Sequence, residues 1–402
     1  MQRGALRGAL GIVLLLGGAA NAAAPFSYIG QQIVPTGTMA FGTTVGGLSG
    51  IDFDAAASRY FAISDDRSQL NPARFYRLGL DLNQFQRSNA AGSAGVMFDS
   101  VTPILAPGGT AFAPAQLDPE AIRLAGTSLY WTSEGARDAS GLQNPFVRRM
   151  GLNGAHQAEL ATPSRFNPAG SIAGTQPADS GIRNNLSFES LTLSTDRTRV
   201  YAATENALVQ DGPAAAFGQS SVSRVIEFDL ASGSRTAEYS YVVDAVAAAP
   251  VPSGSFATNG LVEMLAIGEG QFITVERAFS TGVGNSIRLY YADARGATDI
   301  AGLDSLAGGS YTPMTKSLLL DLGALRNDDG SPLLLDNIEG ITFGPELDGS
   351  PSIILVSDNN FSPAQFTQFI ALSQVGAIPE PETYALMLVG LGLVLAARRR
   401  RR

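Results

Sequence analysis

Five times along this chain of 402 residues, an acidic or polar residue is followed by apolar residues two and four positions on. The copies are Ser49/Ile51/Phe53, Glu120/Ile122/Leu124, Glu189/Leu191/Leu193, Glu263/Leu265/Ile267 and Glu339/Ile341/Phe343. Side chains alternate with period two along a strand, so each copy reads as a short strand with one apolar face. After each comes a turn and a second apolar run ending in an acid: RYFAISD at Asp65, LYWTSE at Glu134, VYAATE at Glu205, FITVE at Glu276 and IILVSD at Asp358. A third strand-like run follows, usually with an arginine. Most units have room for a fourth, such as Thr236–Val243. Repeats of four strands without helical crossovers predict an all-β chain folded as a β-propeller of four-stranded antiparallel blades. Five blades account for the length; six would need a further copy of the unit. Stacking is required, because no single blade can bury both of its faces. The leading residues are 71, 69, 74 and 76 apart, longer than the roughly 40–45 residues of a compact propeller repeat, so long loops are expected. The unmatched strand Phe26–Val34 is expected to add to the last blade and close the ring.

In a hairpin, the start of the first strand and the end of the second lie at the same rim. That geometry pairs Ser49 with Asp65, Glu120 with Glu134, Glu189 with Glu205, Glu263 with Glu276 and Glu339 with Asp358. With the first strands innermost, these residues ring one mouth of the central channel. Crowded carboxylates raise one another's pKa values unless something offsets them. Oxygen-only ligands suit Ca²⁺ or Mg²⁺ better than zinc, so the candidate metal ligands are Asp65, Glu120, Glu134, Glu189, Glu205, Glu263, Glu276, Glu339 and Asp358, with Ca²⁺ as the candidate ion. Arg67, Arg137 and Arg277 lie just after three of the second-strand acids and are the candidate substrate-binding residues, since guanidinium grips phosphate or carboxylate at two points. The same charges also suit a self-neutralising structural network. No catalytic residue is assigned.

Other chemistries are poorly supplied. There is no cysteine and one histidine, His156, in GLNGAHQAEL, where an exposed loop is expected. Gly47-Leu48-Ser49-Gly50 is not G-x-S-x-G and precedes a strand. Lys316 lacks the preceding glycines of a P-loop, and no dinucleotide fingerprint follows a strand. Trp131 reads as core packing. The Ala-rich Asp244–Val251 offers one helical turn at most before Pro250 and Pro252.

The two ends read as processing segments. Met1–Ala22 has the basic start, short apolar run and small residues of a signal peptide. Ile378–Arg402 has Pro379-Glu380-Pro381, an apolar stretch Tyr384–Ala397 too short for a permanent span, and five terminal arginines. It resembles the PEP-CTERM sorting signal, which implies transient membrane insertion through that helix, recognition and cleavage by an exosortase-type enzyme in a Gram-negative bacterium, and release to the cell surface or beyond. The domain between, residues 23–377, is acidic. The whole chain carries −9; losing seven arginines and two glutamates with the ends leaves −14. Nucleic acid is therefore not an expected partner.

The phrases GLSGIDFD…RYFAISDD, DPEAIRL…LYWTSEG, SFESLTLSTDRTRVYAATEN and NIEGITF…IILVSDNN resemble the phytase-like domain described as "esterase-like activity of phytase", over most of Gly47–Phe369. The resemblance implies a propeller-like fold and an exported hydrolase of phosphomonoesters or related esters, with a small anionic ester as substrate. It fits the lack of the R-H-G-x-R-x-P signature of histidine acid phosphatases. The alternative is a non-catalytic propeller that binds a polysaccharide or protein at the cell surface or in the extracellular matrix.

Overall fold

The computed structural model describes residues 25–375 apart from residue 348. The signal peptide and the sorting segment lie outside the described residues. Five four-stranded antiparallel sheets follow one another around an axis. From the inside outwards, blade 1 is Leu48–Asp54, Arg59–Ser64, Arg74–Leu80 and Val96–Pro103. Blade 2 is Pro119–Ala125, Ser128–Ser133, Phe146–Gly151 and His156–Glu159, and blade 3 is Phe188–Leu193, Arg199–Thr204, Ser221–Asp229 and Arg235–Val243. Blade 4 is Ala257–Gly268, Gln271–Ser280, Gly284–Asp293 and Thr315–Asp321. Blade 5 takes Asn337–Phe343, Ser352–Asp358 and Phe366–Gln374, and its outer strand is the N-terminal Phe26–Pro35. The ring is thus a five-bladed propeller closed by its first strand, as the sequence leads one to expect. His156 differs from expectation: it opens the outer strand of blade 2 and is half-buried. Asp244–Val251 forms an irregular loop without a helical turn.

The period-two pattern does the packing. In blade 5, Ile353 and Leu355 face blade 4, while Ile354 and Val356 face blade 1. The same division recurs around the ring, giving one apolar cluster between each pair of neighbouring blades. Trp131 sits between blades 1 and 2, 1% exposed, with its ring 5.1 Å from Phe146.

Each innermost strand is a sheet edge, and an edge leaves backbone N–H and C=O groups unpaired. Here they face the axis, and Arg123 fills it. Its guanidinium donates to the carbonyls of Ile51 and Ile122 and to those of Met264 and Ile341. Glu263 lies 2.7 Å from Arg123 and accepts from the backbone N–H of Leu191 and of Met264. One buried ion pair therefore ties all five inner strands together and plugs the channel. Above it opens a cavity of about 760 Å³.

Candidate functional site: an acidic mouth

Four of the five inner strands carry a β-bulge at the leading residue. The pairing skips Ser49 in blade 1, Glu120 with Ala121 in blade 2, Glu189 in blade 3 and Glu339 in blade 5. A bulge re-aims its side chain out of the pleat, and these glutamates turn into the cavity. The acids after the second strands, Asp65, Glu134, Glu205 and Asp358, join them at the same end. Room is made by small residues. A Cβ on Gly260 would come within 2.0 Å of Glu205 Oε1, and one on Gly47 (φ +61°) within 1.8 Å of Asp65 Oδ1.

Blade 4 breaks the pattern. Its bulge falls at Val262, and Leu261 pairs with Glu276, where the other blades pair the equivalent residue with Ser64, Ser133, Thr204 or Ser357. The glutamate position is therefore held by Val262 and the second acid position by Arg277. Glu263 and Glu276 are each displaced by one residue, which reverses the face they occupy. Glu263 drops to the axial plug. Glu276 lies between blades 3 and 4, bonded by Lys316, Tyr241 and Asn259. The expectation that these two acids belong to the rim is corrected on that ground. Periodicity alone could not choose between Val262 and Glu263 as the leading residue.

The three arginines separate likewise. Arg277 is in the mouth, 3.0 Å from Glu339 and 3.7 Å from Glu205. Arg67 stands at the edge, 3.6 Å from Asp118 and 3.4 Å from Asp138. Arg137 points away: it is buried and donates to the carbonyls of Ser171, Ser180 and Ala169, clamping a loop. Asp118 was missed by the strand reading, although period two from Glu120 places it on the same face. Asp336 also lines the wall, but its oxygens are taken by Gln365, Asn337 N–H and Phe366 N–H.

Two carboxylate trios stand out. Asp118, Glu120 and Glu134 each bring an oxygen within 4.8 Å of the others, and so do Glu134, Glu189 and Glu205. Glu134 belongs to both. All five are buried, and Glu205 Oε1 has no hydrogen-bond partner. Burial, then mutual repulsion, holds the carboxyls of Asp65, Glu120, Glu134, Glu189 and Asp358 well above their ordinary range. Asp118 and Glu205 are pushed up to about 7 by burial, against the opposing pull of Arg67 and Arg277 respectively. Burial alone would lower the pKa of Arg277, but Glu205, Glu339 and Glu189 around it more than reverse this. Acids outnumber cations here, so the mouth crowds together carboxyl groups whose charged forms repel one another.

Residues 43–361 match the family described as phytase-like, "esterase-like activity of phytase". The chain belongs to this family. Residues 377–402 match the PEP-CTERM protein-sorting motif, which implies export, surface sorting and processing by an exosortase-type enzyme. No helix among the described residues is long and apolar enough to cross a membrane. No curated protein matches the chain. Solved structures similar to the phytase-like domain include one described as the Dos1 propeller, at 8% identity over 83% of this chain and 69% of that one, with a TM-score of 0.34. Another is the periplasmic gluconolactonase PpgL of Pseudomonas aeruginosa, at 13% identity over 84% and 88%, with a TM-score of 0.32. At these scores neither bears on the site.

Proposed function

We propose that the mouth is the active site of an exported, cation-dependent hydrolase of phosphoesters or related esters. The observation that carries this reading is the pair of carboxylate trios sharing Glu134, with Arg277 supplied beside them by the one blade that contributes no acid to the mouth. Asp118, Glu120, Glu134, Glu189 and Glu205 would hold one or two divalent ions. The all-oxygen donor set, in which Glu205 Oε1 accepts no hydrogen bond, fits Ca²⁺, or Mg²⁺, and does not favour zinc. When bound, a cation held by these residues would supply Lewis-acid chemistry, polarising a phosphoryl oxygen and lowering the pKa of a water molecule.

The chain's own residues supply the rest. Arg277 offers a planar fork that grips an anionic group at two oxygens, and its Nε is buried without a hydrogen-bond partner. Asp65 and Asp358 lie outside both trios on the cavity lining, and burial holds their carboxyls well above the ordinary range, so they are the candidates for general acid–base work there. The Arg123–Glu263 plug closes the floor, leaving one way in and out.

The test is hydrolysis of p-nitrophenyl phosphate and p-nitrophenyl acetate by the mature domain, with Ca²⁺, with Mg²⁺ and with chelator. Turnover should require the cation, and Glu134→Gln should abolish both turnover and the cation-induced rise in Tm. A domain that binds Ca²⁺ but turns over neither ester would be a binding module, and the hydrolase reading would fall.

A further inference from the structure

The blade that departs from the acidic pattern also builds a wall. In blade 4 the hairpin does not stop at the mouth: it runs on past Arg277, with Thr258 paired to Phe279 and Ala257 to Ser280. This extension carries Phe256 and Phe279, whose rings lie 6.2 Å apart, on the lining of the same cavity. Leu334 and Leu335, just before blade 5, continue the apolar lining. Phe256 is 67% exposed and Leu334 58%. Large apolar side chains left open beside a polar cavity mark a surface that an occupant covers. The other blades line the cavity with Asp65, Glu120, Glu189, Glu339 and Asp358. Arg277 stands between the two halves, and it is the one cationic side chain on the lining among the described residues.

That division of labour selects by charge as well as by shape. A polyanion could place one phosphate at Arg277 and the trios, but its other phosphates would lie against Phe256, Phe279, Leu334 and Leu335, and a charged group desolvated without a partner is strongly unfavourable. A single phosphate can be gripped by Arg277 and by cations in the trios, while the remainder of the molecule lies along Phe256, Phe279, Leu334 and Leu335. We infer that the substrate is a phosphomonoester of an apolar alcohol, not a polyphosphorylated polyol. This rests on the hydrolase reading above and deepens it.

The experiment compares methyl phosphate, hexyl phosphate and inositol hexakisphosphate with the intact exported domain in the presence of Ca²⁺. The two alkyl esters have leaving groups of similar basicity, so a difference between them reports binding of the chain. Hexyl phosphate should exceed methyl phosphate in kcat/KM by about tenfold or more, carried by KM, and inositol hexakisphosphate should be the poorest substrate. Phe256→Ser should cut the hexyl-to-methyl ratio about fivefold, and Phe256→Leu should restore most of it. Equal kcat/KM for the two alkyl esters, or a preference for the hexakisphosphate, overturns the inference while the hydrolase reading stands. Should no ester be turned over, the hydrolase reading fails, and calorimetry decides the ligand class. Tighter binding of hexylphosphonate than of methylphosphonate, lost in Phe256→Ser, supports the apolar wall; equal binding overturns it.

Discussion

Replacing Arg123 with methionine tests the axial plug, and its cost can be worked from the contacts. The guanidinium donates to the carbonyls of Ile51, Ile122, Met264 and Ile341, and a buried acceptor left without its donor costs about 1 kcal/mol at the low end. Those carbonyls together contribute about 4 kcal/mol. Glu263 adds a second loss. Burial pushes its carboxyl up from 4.5 to about 7 even with Arg123 pulling it down. At pH 7.5 the native protein therefore already bears about 3 kcal/mol relative to the unfolded chain, at about 1.4 kcal/mol per pH unit. Without Arg123 the carboxyl is protonated throughout, and the penalty rises to about 4 kcal/mol. The total loss is about 5 kcal/mol. An unfolding entropy of about 2.1 cal/mol/K per residue over about 350 residues converts this to a Tm about 7 °C lower.

Thermal unfolding followed by circular dichroism, without added cation, measures this loss. A raised carboxyl pKa leaves stability intact below about 4.5 and removes it as pH climbs through the folded value. The deficit of Arg123→Met should therefore be smaller at pH 5 than at pH 7.5, by about 1 kcal/mol. Adding Glu263→Gln should abolish that pH dependence. A Tm within 2 °C of the parent, or a deficit that is larger at pH 5, would refute the idea that this pair joins the five inner strands.

Three more outcomes follow from the mouth and its surroundings. Asp118 and Glu205 have carboxyls pushed up to about 7 from 3.8 and 4.5, so the chelated domain should melt higher at pH 5 than at pH 8. Ca²⁺ at about 100 times its Kd should return about 3 kcal/mol at pH 8 and much less at pH 5, as differential scanning fluorimetry would show. Arg137→Lys should lower stability by about 2–4 kcal/mol through lost carbonyl bonds around Ser171–Ile182, while the Ca²⁺-induced rise in Tm persists; loss of that rise would place Arg137 at the mouth after all. Glu276→Gln should leave Ca²⁺ affinity within about twofold in a titration calorimetry comparison with the parent, because its oxygens are committed to Lys316, Tyr241 and Asn259 and the replacement disturbs only that distant network.

The ring was legible because it rests on period-two alternation and on a fivefold recurrence, and both are properties of short windows of sequence. Residues such as Ile353–Val356 commit alternate side chains to two neighbours whatever the loops do. The closing role of Phe26–Pro35 followed from its being a strand without a mate. The mouth was legible only in part, because a β-bulge is invisible to a periodicity count. In blades 1, 2, 3 and 5 the leading residue and the bulge coincide, so the end of the blade that the hairpin argument assigns them is the end they occupy. In V-E-M-L the bulge takes Val262, and a one-residue slip sent Glu263 to the axis and Glu276 to a blade interface. That Arg67 stands at the edge and Arg137 points away depends on the paths of the segments after the second strands, which the repeat pattern does not encode.

The register also gives the ring a polarity. Asn337 pairs with Asp358 at the acidic end of blade 5, whereas Phe26 pairs with Gln374 at the far end of the same blade. The chain therefore enters and leaves the domain on one face, and the carboxylates open on the other. The sorting motif begins at residue 377, within a few residues of that exit. A tether at that end of the domain would leave the acidic mouth on the opposite face, open to whatever lies beyond the tether.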